Sequence, residues 1–303
     1  MKRGKSMVLK IILLIIVLFI VLIAVKYFLC INKANKRLDS YKQMTSSIET
    51  TYGKITYIDK GSGEAVLVFH GICGGYDQAY DTLKDRVDDY RVIAPSRFGY
   101  IGSDLPKNAT VDDQAAAYKE LLDKLNIKKV YVLATSAGGS PAIRFALDYP
   151  ERTKGLILYC SSMPSKVKPE SYEEYVGPPK QVCNNFTMWL ISPLFEPLMG
   201  MESSTINSIL PISEKRDGII FDSKVINTDM DKNFDKYDVE NLKVPTIVFN
   251  SKDDKLAVYS RTKAAVERFP NCTFISFESG GHLMKGNQDT INRELDKFIE
   301  ENK

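Results

Sequence analysis

The sequence predicts an α/β fold: a mostly parallel sheet with helices on both faces, a helical cap inserted late in the chain, and one transmembrane helix in front. Three observations carry this. From residue 53 onward, short apolar runs of strand type alternate with segments of helical period, the rhythm of right-handed βαβ units. The alternation stops between residues 161 and 242 and then resumes. Ahead of it all, residues 11–25 ("IILLIIVLFIVLIAV") form an unbroken apolar run behind a basic leader.

That run reaches about 20 residues if Lys10 or Lys26 snorkels toward headgroups. Residues 1–31 therefore read as a signal-anchor. A cleaved signal peptide is disfavoured because "VKYFLCINKANK" lacks a small-x-small pattern, and Cys30 follows Phe28 and Leu29 in place of lipobox residues. A buried core helix would rarely be apolar on every face and bracketed by lysines. Lys2, Arg3, Lys5 and Lys10 precede the run, while Lys26, Lys33, Lys36 and Arg37 follow it, so the positive-inside count is level. The usual outcome for such a leader is expected: a single pass of the cell membrane, with the folded body extracytoplasmic and membrane lipid as a partner.

Residues 1–42 hold nine Lys/Arg and one acid, which leaves 32 basic against 37 acidic residues in the remainder. The positive charge thus belongs to the N-terminus, and the body lacks the basic excess that nucleic-acid binding requires. Five scattered cysteines, Cys30, Cys73, Cys160, Cys183 and Cys272, suggest neither a disulfide framework nor a zinc site. No metal or cofactor is expected.

Residues 32–47 are polar and read as a juxtamembrane linker, with the folded body spanning 48–303 and the cap at about 161–242. "GKITYID", "AVLVFHG", "YRVIAPS", "KKVYVLAT" and "GLILYC" read as strands, as do "VPTIVFN" and "CTFISFE" after the cap. "YDQAYDTLKDRVDD", "VDDQAAAYKELLDKLNI" opened by Thr110, "GSPAIRFALDYP", "RTKAAVERFP" and "DTINRELDKFIEENK" read as helices. In the cap, "NNFTMWLISPLFEPLMGM" suggests helices with an apolar surface, and Phe186, Met188, Trp189, Leu190, Phe195 and Met199 are candidates to line a pocket or simply to pack.

Ser136 lies where strand "KKVYVLAT" turns directly into helix "GSPAIRFALDYP". Such a tight bend strains the serine backbone and demands small neighbours, here Ala134, Ala137, Gly138 and Gly139. It also lifts the hydroxyl above the carboxyl edge of the sheet, beside the amides of a helix N-terminus. A serine hydroxyl needs a base, and the chain contains only His70 and His282. His282 follows the last predicted strand; Asp253 and Asp254 follow the strand before it, where a carboxylate can orient an imidazole. The order Ser, Asp, His, each after a strand of one parallel sheet, is that of nucleophile-elbow hydrolases.

From "GKITYID" to the C-terminus the chain resembles an α/β-hydrolase fold protein of the serine esterase and peroxidase-like type. The resemblance rests on "HGICGG", "SRFGYIGSDLP", the elbow "ATSAGGS", "KDDKLA" and "GGH". It implies an oxyanion loop at His70-Gly71, with the amides of Ile72 and Ala137 as donors and His70 structural. It implies Asp254, over Asp253, as the acid of a triad with Ser136 and His282. The chain departs from the pattern at Ala134, where Gly is usual, and at Ser96, where Asp is common; neither removes a catalytic group. The implied activity is that of a carboxylesterase-like serine hydrolase acting on a small-molecule acyl substrate through an acyl-enzyme. A prolyl iminopeptidase-like peptidase, a carbon–carbon bond hydrolase and a non-catalytic binding protein on this scaffold are the alternatives.

Overall fold

The computed structural model describes the backbone of residues 2–303 and the side chains of residues 7–303. Of the basic leader, Met1 and the side chains of Lys2, Arg3 and Lys5 lie outside the described residues. Eight strands form one sheet: β1 (Thr45–Thr50), β2 (Gly53–Lys60), β3 (Glu64–Phe69), β4 (Tyr90–Pro95), β5 (Val130–Thr135), β6 (Thr153–Tyr159), β7 (Thr246–Ser251) and β8 (Cys272–Phe277). Their spatial order is β1-β2-β4-β3-β5-β6-β7-β8. β1 pairs antiparallel with β2, and β2 with β4; every other pairing is parallel.

The helices in chain order are α1 (Lys2–Lys42), α2 (Tyr76–Asp81), α3 (Val111–Lys124), α4 (Gly139–Asp148), α5 (Asn185–Ile191), α6 (Phe195–Met199), α7 (Ile206–Ile209), α8 (Arg216–Phe221), α9 (Asn227–Lys232), α10 (Tyr259–Val266) and α11 (Gln288–Glu301). Strand side chains alternate between two cores, as a two-residue period dictates. Leu67, Phe69, Val132 and Ala134 face α3, α4 and α10, whereas Val66, Val68, Tyr131 and Leu133 face α2, α11 and the end of α1. α3 starts where Thr110 closes a capping box with Asp113, each side chain meeting the other's backbone amide.

The structure departs from the sequence reading between residues 32 and 47. α1 does not end at the apolar run; it continues to Lys42, and β1 begins at Thr45. The reason is a second, amphipathic stripe. Ile31, Ala34, Leu38 and Tyr41 recur at helical spacing, the first two packing on residues 161–242 and the last two on the sheet's second core, while Lys33 and Lys36 face outward. Arg37 completes the attachment, bonding Asp77 at 2.8 Å and Asp81 at 2.5 Å on α2.

Residues 161–242 hold α5 to α9 and several single turns. Their own core joins Met188, Phe195, Ile206, Ile209, Leu210, Ile212 and Ile219 to Tyr100 and Cys73 of the body and Ala34 of α1.

Candidate active site

β5 ends at Thr135, and Ser136 takes a positive φ of 51°, a left-handed conformation that side chains ordinarily avoid. The bend is enforced by close approach. A Cβ on Gly138 would sit 2.3 Å from the Phe69 carbonyl oxygen, and one on Gly139 would sit 2.4 Å from that of Ser162. Only glycine fits either place. Ala134, by contrast, is wholly buried in the core with its methyl accommodated, and its carbonyl accepts from Ser161 Oγ at 2.9 Å. Ser136 itself is half-buried.

The loop after β3 runs beside this elbow. Gly71 approaches so closely that a Cβ there would meet that of Ser136 at 3.1 Å. Its amide donates to Gln78 Oε1 at 2.8 Å, a restraint that the sequence alone did not single out. His70 is wholly buried; Nδ1 lies 2.8 Å from the Gly71 carbonyl and Nε2 accepts from the Arg97 amide at 2.9 Å. Those partners assign the proton to Nδ1. Burial, with the Arg97 charge beside it, holds the His70 pKa well below the ordinary imidazole value, so the ring stays neutral and serves the loop. Ser96, where an acid was common, accepts from the Tyr76 amide at 2.8 Å. The amide of Ala137 lies in the first turn of a helix end, ahead of its hydrogen-bonded ladder, and Ile72 follows Gly71 in the loop that approaches Ser136.

The loops after β7 and β8 bring an acid and a base together. Nδ1 of His282 lies 3.0 and 3.1 Å from the two carboxylate oxygens of Asp254, and both side chains are buried. Asp254 Oδ1 also accepts from the amides of Leu256 and Ala257 at 2.8 and 3.0 Å, which fixes the carboxylate in its loop. Asp253 points elsewhere, to the amides of Gly280 and Gly281. Ser136 directly follows β5, Asp254 follows β7 and His282 follows β8, so all three stand at the carboxyl edge of the sheet; among the described residues no hydrogen bond joins Ser136 to the Asp254–His282 pair. Such contacts are often long without substrate and tighten when one binds.

One neighbour escaped the sequence reading. Cys160 follows β6 with a positive φ of 41°, and its Sγ, an Asp254 oxygen and a His282 nitrogen lie within 4.8 Å of one another. Burial, then the negative charge of Asp254, push the thiol pKa up, which keeps it neutral beside the pair. Of the cap residues that were candidates for a pocket wall, Met188 and Phe195 are buried within the cap's own core, and Phe186 and Leu190 are exposed.

The cap closes on these loops from above. Lys255 Nζ donates to the Pro197 carbonyl at 2.9 Å, and a Cβ on Gly281 would lie 2.4 Å from the Gly200 oxygen.

Comparison with known proteins agrees with this architecture. Residues 64–286 match the family model described as alpha/beta hydrolase fold. An uncharacterized hydrolase of Bacillus subtilis, YcgS, is 27% identical over 274 residues, covering 80% of this chain and 93% of its own length. A 2-hydroxy-6-oxo-6-phenylhexa-2,4-dienoate hydrolase of Burkholderia cepacia is 39% identical over 109 residues, a match confined to 33% of this chain and 37% of that protein. Among solved structures, an esterase from Exiguobacterium antarcticum superposes with a TM-score of 0.69 at 20% identity, covering 85% of this chain and all of that one.

Proposed function

Because the chain belongs to the alpha/beta hydrolase fold family, we propose that it is a membrane-anchored serine hydrolase that cleaves an ester-like carbonyl through Ser136, Asp254 and His282. The observation that carries the reading is the buried Asp254–His282 pair, 3.0 Å apart, at the same sheet edge as a serine held at a φ of 51°.

Nε2 of His282 takes the Ser136 proton as Oγ attacks the carbonyl carbon, and Asp254 stabilises the imidazolium through Nδ1–H. The amides of Ile72 and Ala137 donate to the oxyanion of the tetrahedral intermediate. The intermediate collapses, the carbon–oxygen bond to the alcohol breaks, and His282 returns the proton to the leaving oxygen. Water, deprotonated by the same imidazole, then attacks the acyl-enzyme and releases the acid. No group beyond these side chains and amides is required, and no cofactor or metal is invoked.

A continuous helix, exposed over its apolar stretch and long enough to cross a bilayer, supports the anchor. In this reading the N-terminus is cytoplasmic and the catalytic domain faces outward at the cell membrane. Protease treatment of intact cells tests it: digestion of the body only after lysis refutes that orientation.

A fluorophosphonate probe tests the chemistry. Covalent labelling of the folded wild type, lost in Ser136→Ala, is expected; equal labelling of both, or no labelling of either, overturns the assignment. The partial match to a dienoate hydrolase favours a second reading, a carbon–carbon bond hydrolase using the same triad. Parallel panels of esters, peptides and dienoates separate the two readings and the peptidase alternative.

A further inference from the structure

We infer that the exposed face of α5 and α6 is a second membrane contact, seated in the headgroup and acyl boundary beside the anchor, and that the substrate is an amphiphilic acyl ester supplied from the bilayer. The inference rests on the serine hydrolase and anchor reading and adds to it a docking surface and a substrate class.

Four large apolar side chains, Phe186 and Leu190 of α5, Leu194 of the 3-10 turn 192–194 and Leu198 of α6, recur every fourth residue, and they are 43%, 50%, 51% and 67% exposed. Each four-residue step turns only about 40° in an α-helix, so successive members of the row stand side by side and the row winds gradually along the exposed surface of the segment. Between residues 183 and 201 the only charged residue is Glu196. It stands two positions from Leu198 in α6 and so about 200° round the helix, away from the leucines. A run of exposed leucines without a charge in its midst suits lipid better than a partner in water.

The position of the face names lipid as its occupant. Tyr27 of α1 packs on Phe186, with ring centroids 5.3 Å apart, and on Trp189, at 5.5 Å. Tyr27 lies within one turn of the end of the apolar run, and its neighbours Phe28 and Leu29 are 60% and 66% exposed. Once α1 spans the bilayer, Tyr27, Phe28, Phe186 and Trp189 stand together at the depth where aromatic side chains gather. α1 cannot drift from the cap, because Ala34 shares the cap's core and Arg37 is tied to Asp77 and Asp81.

The same segment touches the catalytic loops. Its far end meets the acid loop through Lys255 and Pro197 and the base loop through Gly200 and Gly281. An ester whose chains lie in the bilayer would therefore meet the active site along the margin where cap and lipid join.

Trp189 is the only tryptophan in the chain, which makes its fluorescence a direct reporter. The full-length protein is reconstituted in phosphatidylcholine vesicles with plain or brominated acyl chains. Because an interfacial face sits roughly 5–10 Å into the boundary, brominated lipid is expected to cut the emission by about half or more. Trp189→Phe with Leu198→Trp moves the reporter to the far end of the face, and the same quenching is expected there. Emission at 198 unchanged by bromine, in protein that floats with the vesicles, overturns the docking surface.

The substrate class is tested with Leu194→Glu/Leu198→Glu. Turnover of a long-chain ester carried in the vesicles should fall about tenfold or more while a soluble short-chain ester is hydrolysed at the wild-type rate, the second rate proving a folded enzyme. An equal effect on both esters, or none on either, refutes supply from the bilayer. If the wild type hydrolyses neither ester, the hydrolase reading fails, and the quenching still reads the docking surface independently.

Discussion

Asp253 and Asp254 are chain neighbours whose carboxylates serve different groups of the base loop: that of Asp253 accepts from the Gly280 and Gly281 amides at 3.2 and 2.9 Å, and that of Asp254 faces Nδ1 of His282. The two losses should therefore differ in kind. Asp254→Asn leaves the geometry but presents the wrong partner to the imidazole, and kcat on an ester should fall about 10⁴-fold. Asp253→Ala frees a loop in which Gly280 and Gly281 already hold φ values of 133° and 59°. A misplaced base should cost about 10²-fold or less. Steady-state kinetics of both variants check the ranking, and a larger loss at Asp253 would reverse the assignment.

The thiol of Cys160 lies beside that pair yet should be inert. Burial and Asp254 both raise its pKa, so the reactive thiolate is scarce at neutral pH. Iodoacetamide should label it in the native protein far more slowly than after denaturation, by mass spectrometry of the Cys160 peptide. Fast native labelling would show a thiolate at this place and a competing nucleophile for active-site probes.

A pair of opposite charges is fully enclosed where the body meets the cap. Arg97 bonds Asp222 through two nitrogens, at 2.5 and 2.6 Å, and Asp222 also accepts from Tyr100 at 2.5 Å. Asp222→Ala strands the guanidinium in the interior and should cost about 3–5 kcal/mol. Arg97→Met with Asp222→Leu removes both charges and should cost less than the single change. Denaturant unfolding of the three proteins decides it; a double variant weaker than Asp222→Ala would mean that the Arg97 bond to the His70 carbonyl, 3.0 Å, outweighs the ion pair.

The sheet and the elbow were readable because their signals are local. Val130 to Thr135 is a short apolar run, and Gly138 and Gly139 announce a bend with no room for side chains. β1 was missed because "TSSIET" at an edge carries only Ile48 as an apolar residue. The helical continuation to Lys42 was masked by charge, since Lys33, Lys36, Arg37 and Asp39 interrupt the stripe that runs through Ile31, Ala34, Leu38 and Tyr41. The resemblance of "KDDKLA" pointed to Asp254, but the separate task of Asp253 had no local signal: it depends on where residues 280 and 281 return in space, as does the place of Cys160. The cap resisted reading for the same reason, because its core is assembled from Cys73, Tyr100 and Ala34, which are distant in sequence.

Asp77 joins three parts of the molecule and should set its acid stability. It lies on α2 with a fully enclosed side chain, and it meets Arg37 of α1 at 2.8 Å and Lys215 of the cap at 3.5 Å. Burial works to raise its pKa, but Lys215 and Arg37 outweigh that and hold the carboxyl below its ordinary value of 3.8. In acid the unfolded chain therefore takes up this proton first, and stability falls as pH falls. The contribution is complete above the unfolded value and is lost as pH drops through the folded one. At neutral pH, Asp77→Asn leaves the enclosed Lys215 without its partner and should cost about 3–5 kcal/mol. Denaturant unfolding of the full chain in detergent, run from neutral pH to below 3.8, should show the wild type losing its advantage as the acid is reached. An advantage that stays constant through the acid range would mean that Asp77 is not the group that titrates, and that the polar hold of α1 on the body rests on Asp81.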